Sequence, residues 1–145
     1  MDLFDLPLHP LVVHAAVVLV PIAALGALAL VAIPKLRARY GWLTVAVAIA
    51  AAVSALTARF TGDVLMESLG LGGVPQVQAH RMWGVWAPWP VLILALVLPV
   101  LVRFDGSQRV VLIRVAAAVT VVAALASLVL IGLTGHAGAT AVWGE

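Results

Sequence analysis

Residues 10–34 read PLVVHAAVVLVPIAALGALALVAIP, and no Asp, Glu, Lys or Arg interrupts them. A helix that crosses a bilayer needs roughly 20 apolar residues in succession, which this run supplies. In hydrocarbon the backbone groups must bond one another, and a helix does so within its own segment. The run lacks the apolar–polar alternation of a strand. It therefore predicts a membrane-spanning helix, preceded by His9 and stopped by Lys35, Arg37 and Arg39.

Three more apolar runs follow. Residues 42–62 end at Asp63, Glu67 and a turn rich in glycine (Gly70, Gly72, Gly73). Residues 75–102 end at Arg103, Asp105, Gly106 and Arg109, and residues 110–134 carry Arg114 near their start. Composition agrees over the whole chain: 145 residues, 65% hydrophobic and 10% charged, with a mean hydropathy of +1.21. A soluble domain is nearer half apolar and a quarter charged. The expectation is an all-α membrane protein, a single transmembrane domain over residues 1–145 in which four spans form an up-down-up-down bundle with short loops. No room is left for a separate catalytic domain.

The absence of cysteine excludes disulfides, Cys-ligated iron–sulfur clusters, Cys-zinc sites and covalent c-type haem. The pI near 9.9 rests on a net charge of only +2. Arginines placed by membrane topology account for it better than a nucleic-acid-binding face, so the expected partner is the lipid bilayer and not nucleic acid.

The basic residues orient the bundle. Lys35, Arg37 and Arg39 occupy the first connection, and Arg103 and Arg109 the third, with Arg114 just beyond. The opposite side holds Asp2, Asp5, Asp63, Glu67 and Glu145 against Arg59 and Arg81. The positive-inside rule puts the basic loops in the cytoplasm and both termini outside. With no basic n-region and a first run too long for a signal peptide, span one is expected to be retained.

Within the spans, Ala46, Ala50, Ser54, Ala58 and Gly62 place a small residue at every fourth position of span two, and Ala116, Thr120 and Ala124 do so in span four. Small stripes let helices approach closely. No longer sequence repeat is evident. Pro21, Pro88, Pro90 and Pro99 predict kinks in spans one and three. Trp83, Trp86, Trp89 and Trp143 at the outer side, with Tyr40 and Trp42 at the inner, form an interfacial aromatic belt or line a flat cofactor.

All four histidines, His9, His14, His80 and His136, fall on the outer side. If Pro10 and Pro75 start their helices, His14 and His80 lie about 6–8 Å below the helix starts. His136 follows span four on its way back out. Spans one and three are diagonal in such a bundle and span four touches both, so His14, His80 and His136 can meet in one outer cavity. His9 is about 140° round a helix from His14 and points elsewhere if it is helical. Imidazoles ligate haem iron, copper or zinc, and ionisable groups within a membrane are commonly functional. A single histidine capping a helix or resting among headgroups is the plainer alternative. Arg81, beside His80, is a candidate holder of a haem propionate; Arg59 is expected to pair with Asp63 or Glu67, or to snorkel to the interface.

Leu8-His9-Pro10-Leu11-Val12-Val13-His14, Ala79-His80, Gly135-His136-Ala137-Gly138 and Ala141-Val142-Trp143-Gly144 together resemble the bacterial four-span inner-membrane family catalogued as domain of unknown function 2231. In that family the first helix opens with a His-Pro…Val-His-Phe-Pro pattern and the last closes with Gly-His-Leu-Gly-Gly…Val-Tyr-Gly. The resemblance covers essentially the whole chain. Ala15-Ala16 stand in place of Phe-Pro, Ala137 and Ala139 in place of Leu and Gly, and Trp143 in place of Tyr. Some relatives are joined to Rieske or cytochrome c domains, which implies electron transfer near the outer face.

The resulting expectation is a membrane haem b protein with His14 and His80 as axial ligands, His136 as substitute or propionate partner, and His9 last. It would exchange electrons with an extracytoplasmic redox protein or a quinone. The alternatives are a non-haem copper or zinc site drawing on His9, His14, His80 and His136, or a cofactor-free subunit of a homo-oligomer or larger membrane complex. The chain shows no nucleophile–base pair, P-loop or dinucleotide fingerprint, so an electron-transfer or binding subunit is expected rather than a stand-alone enzyme.

Overall fold

The computed structural model describes residues 2–3 and 6–143. Asp5 and Glu145, which contribute to the acidic outer side in the sequence, lie outside the described residues, as does Gly144. Two short strands, β1 (Asp2–Leu3) and β2 (Leu6–Pro7), pair antiparallel ahead of the helices. They are a small departure from an all-α chain.

The helices are α1 (Leu8–Ala32), α2 (Arg37–Ser68), α3 (Pro75–Trp86), α4 (Pro88–Arg103) and α5 (Val110–Trp143). With α3 and α4 taken together, four segments are long and apolar enough to cross a membrane. The helices outrun the apolar runs: α2 continues to Ser68 and α5 to Trp143. Hydropathy marks where a helix leaves lipid, whereas the helix itself stops where its hydrogen bonding is capped. For α2 that point is Gly70, whose left-handed φ of 66° lets its N–H bond the Glu67 carbonyl.

Pro88 and Pro90 lack the N–H groups that would bond the carbonyls of Gly84 and Trp86, so the third span divides at Ala87 into α3 and α4. Pro21 and Pro99 lie inside continuous helices.

α1 packs on α2 and α5, and α4 on the same two, which leaves α1 and α4 diagonal; α3 lies mainly along α5. The core is built largely of alanine, with Leu30, Leu94, Leu98 and Leu101 as its largest fully buried apolar side chains. Facing outward are Val18, Leu25, Ile49, Leu96 and Val122, as lipid contact demands. The small stripe of span two is corrected in part, since Ala46 and Ala50 are exposed and the buried face of α2 runs through Gly41, Thr44, Val45, Ala48 and Ala52. A spacing of four advances about 40° per step beyond a full turn, so such a stripe winds off the face it starts on. In α5, Ala116, Thr120 and Ala124 are buried as expected.

The two halves of the chain also repeat one design that sequence comparison alone did not disclose. Ala16, Val20, Ala23, Ala24, Ala27 and Leu30 are buried in α1. One constant offset carries them onto Ala87, Val91, Leu94, Ala95, Leu98 and Leu101, all buried. That offset also carries His9 onto His80. A second offset carries Thr44, Ala48 and Ala51 of α2 onto Thr120, Ala124 and Ser127 of α5, again all buried. The repeat resides in burial rather than in residue identity, since Ala23 and Ala27 correspond to Leu94 and Leu98, which is why the letters conceal it.

Candidate functional site

The two repeated histidines sit in matching cradles. The His9 Nδ1 lies 2.9 Å from the Ala58 carbonyl oxygen and 3.2 Å from Thr61 Oγ1. The His80 Nδ1 lies 3.0 Å from the Thr134 carbonyl oxygen. A carbonyl only accepts, so in both rings Nδ1–H donates, which in the neutral tautomer leaves Nε2 bare.

Four residues past each carbonyl stands a glycine. A Cβ on Gly62 would come within 2.9 Å of His9 Cε1, and one on Gly138 within 3.0 Å of His80 Nδ1. Each imidazole thus lies against backbone where only hydrogen fits. The second offset carries Ala58 onto Thr134 and Gly62 onto Gly138, so carbonyl and glycine are both part of the repeat.

The two histidines line one cavity. Its larger part has a volume of about 270 Å³, walled by His9, His80, Arg59, the Asp63–Arg81 pair and apolar groups that include Met66, Val77 and Val142. A smaller lobe of about 80 Å³ shares His9, Ala58, Arg59, His80 and Gly84 and reaches inward to Ile131. The larger part lies close to the lower end of the range of small-ligand sites, roughly 300–1,000 Å³.

The remaining candidates lie elsewhere. His14 is exposed and its Nδ1 turns back onto the Pro10 carbonyl. His136 is also exposed, beside Pro75, Gln76 and Ala79 in a shallow groove apart from His80. The expected meeting of His14, His80 and His136 is therefore replaced by a meeting of His9 and His80. The cause is the start of α1: the helix begins at Leu8 rather than Pro10, so His9 is helical, and of two histidines about 140° apart only one faces inward. Among the described residues no group of three or more His, Cys, Asp or Glu is assembled to hold a metal.

Arg81 takes the carboxylate partner expected of Arg59. Arg81 pairs through Nε with Asp63 Oδ1 at 2.8 Å, both half exposed. Arg59, deprived of Asp63, lies over the rings of Phe60 and Trp89, with its guanidinium carbon 5.7 and 5.5 Å from their centroids. Its Nε is buried without a hydrogen-bond partner. Trp86, Trp89 and Trp143 are exposed at this end and Trp42 at the other, the disposition of an interfacial belt. Tryptophan is not part of the cavity wall.

A family model described as "Predicted membrane protein (DUF2231)" matches residues 5–145. The chain belongs to this family. Neither the curated proteins nor the solved structures contain a match. Membership and the four spans agree on a multi-pass helical protein embedded in a membrane, consistent with the bacterial inner membrane. Sequence reasoning ranked His9 last and overlooked Gly62 and Gly138 as cradles. The signal available was the pairing of His9–Pro10 with Ala79-His80 as the openings of two like halves.

Proposed function

We propose that this family member holds a b-type haem at the histidine end of its bundle, with His9 and His80 as axial ligands, and passes electrons at that face. The observation that carries the proposal is the pair of Nδ1–H bonds to backbone carbonyls. Metal-bound histidines characteristically donate their second ring nitrogen in this way, which fixes the tautomer and strengthens the ligating nitrogen. Here two imidazoles from separate helices, α1 and α3, each held so, border one cavity. Two nitrogens are the number that the two axial positions of haem require, and both donors are borderline-soft imidazoles suited to iron. When bound, haem supplies a one-electron couple.

The protein's own part is mechanical and electrostatic. The Ala58 and Thr134 carbonyls hold the rings, Gly62 and Gly138 let them lie close to the helix backbone, and the apolar wall limits access by water. Up-down-up-down order with both termini extracytoplasmic would place this site in the outer leaflet, within reach of an extracytoplasmic redox protein or a quinone. The basic residues Lys35, Arg39, Arg103 and Arg109 at the opposite end support that orientation.

The test is an optical spectrum of the purified protein, dithionite-reduced against air-oxidised, after expression with ample haem. A Soret band lost in His9→Ala and in His80→Ala, and kept in His14→Ala and His136→Ala, is the expected result. Copper or zinc by elemental analysis with no Soret band would replace haem with a non-haem site. Neither cofactor, together with four variants of unchanged stability, would leave a scaffold subunit.

A further inference from the structure

Arg59 breaks the symmetry of the histidine end. It stands in the wall common to both lobes of the cavity. In the other half of the repeat its place is taken by Gly135, which also borders the smaller lobe. Arg81 lines the larger lobe as well, but it is held by Asp63, so of the two cations in the wall Arg59 is the one without a carboxylate partner.

That cation has work left undone. Guanidinium stays charged in any protein environment, and its rigid fork matches a carboxylate. The rings of Phe60 and Trp89 lie beneath it, but an aromatic face does not replace a hydrogen-bond acceptor. A buried donor without an acceptor is costly, and the Arg59 Nε is in that state. Asp63, the nearest carboxylate along α2, is already held by Arg81. The same cavity is also lined by Leu65, Met66, Val77 and Val142, which suit an apolar body rather than a polar one.

We propose that Arg59, and not Arg81, anchors the carboxylate of an apolar ligand that occupies this cavity. A carboxylate brings the single negative charge that one guanidinium neutralises. A phosphate monoester would leave its second charge unpaired in an apolar wall. Two sources share the chemistry, a porphyrin propionate and a fatty acid. The porphyrin source rests on the haem reading above, whereas the fatty-acid source does not.

The experiment uses the full-length protein in detergent and follows quenching of tryptophan fluorescence, with Trp89→Phe identifying the reporter beside Arg59. Two matched pairs of probes are titrated: ferric protoporphyrin IX against its dimethyl ester, and oleate against methyl oleate. A charge-assisted bond to a cation in this apolar wall should make at least one acid bind roughly 10–100-fold more tightly than its ester. Arg59→Gln should bring that ratio close to one, Arg59→Lys should retain part of it, and Arg81→Gln should leave it in place. If Arg59→Gln fails to fold, the wild-type ratio and Arg59→Lys still decide. Binding of neither acid, a wild-type ratio of one for both pairs, or a ratio that survives Arg59→Gln overturns the anchor. Tight porphyrin binding with a ratio of one for both pairs sinks the anchor and leaves the haem site standing. An Arg59-dependent ratio for oleate alone, with no porphyrin bound, keeps the anchor and sinks the haem site.

Discussion

Gly62 and Gly138 show how much a single hydrogen decides at this site. An alanine at 62 would force its Cβ to 2.9 Å from the His9 ring, and one at 138 to 3.0 Å from His80. Each ring would have to leave its carbonyl partner, so Gly62→Ala and Gly138→Ala are expected to cost about 1–3 kcal/mol each. Gly72→Ala, with nothing within 4 Å of the added carbon, should stay within roughly 0.5 kcal/mol of the parent. Thermal unfolding in detergent compares the three, and a neutral Gly62→Ala would mean that the ring does not bear on the helix. At this scale the sequence singled out His80, which the structure places in the cavity wall. It misjudged the direction of His9 because direction follows from the first turn of α1, and Pro10 suggested a later start than Leu8.

Between elements, Arg37 links both turns at the end opposite the histidines. It is 8% exposed, its Nε donates to the Leu30 carbonyl at 2.8 Å, and its guanidinium meets Asp105 Oδ1 at 2.8 Å. Leu30 lies in the last turn of α1, where carbonyls lack intrahelical partners, and Asp105 lies between α4 and α5. One side chain thus closes a helix end and joins the two hairpins. Arg37→Ala is expected to lose about 2–3 kcal/mol, and Asp105→Ala somewhat less, because its side chain is 35% exposed and water can take its place. A double-mutant cycle on unfolding midpoints should show the two losses to be non-additive; simple additivity would deny the link. From sequence Arg37 was only a topology charge. Its pairing with a residue in the far connection was hidden, since it depends on which loops the bundle brings together.

For the whole molecule, the repeat means that two helical hairpins of like burial share one core, and each contributes one imidazole to a common cavity. The absence of cysteine gives a clean test of how this bundle sits in the membrane. Gly72→Cys and Gln108→Cys place single thiols at exposed positions in opposite connections. An impermeant maleimide applied to intact cells should label Gly72→Cys at once and Gln108→Cys only after lysis. The reverse pattern would put the histidine cavity on the cytoplasmic side and remove any extracytoplasmic redox partner.

The sequence by itself determined the membrane, the four spans and the family, because lipid imposes a length and a composition that the letters carry directly. It also placed the histidines at one end, since charge and span order are linear properties. Only the tertiary structure decided that His9 rather than His14 faces His80, that Asp63 belongs to Arg81, and that Arg59 is left with an unpartnered nitrogen in the cavity. Those outcomes turn on helix phase and on which helices touch, and in a core so rich in alanine many phases look alike until the packing selects one.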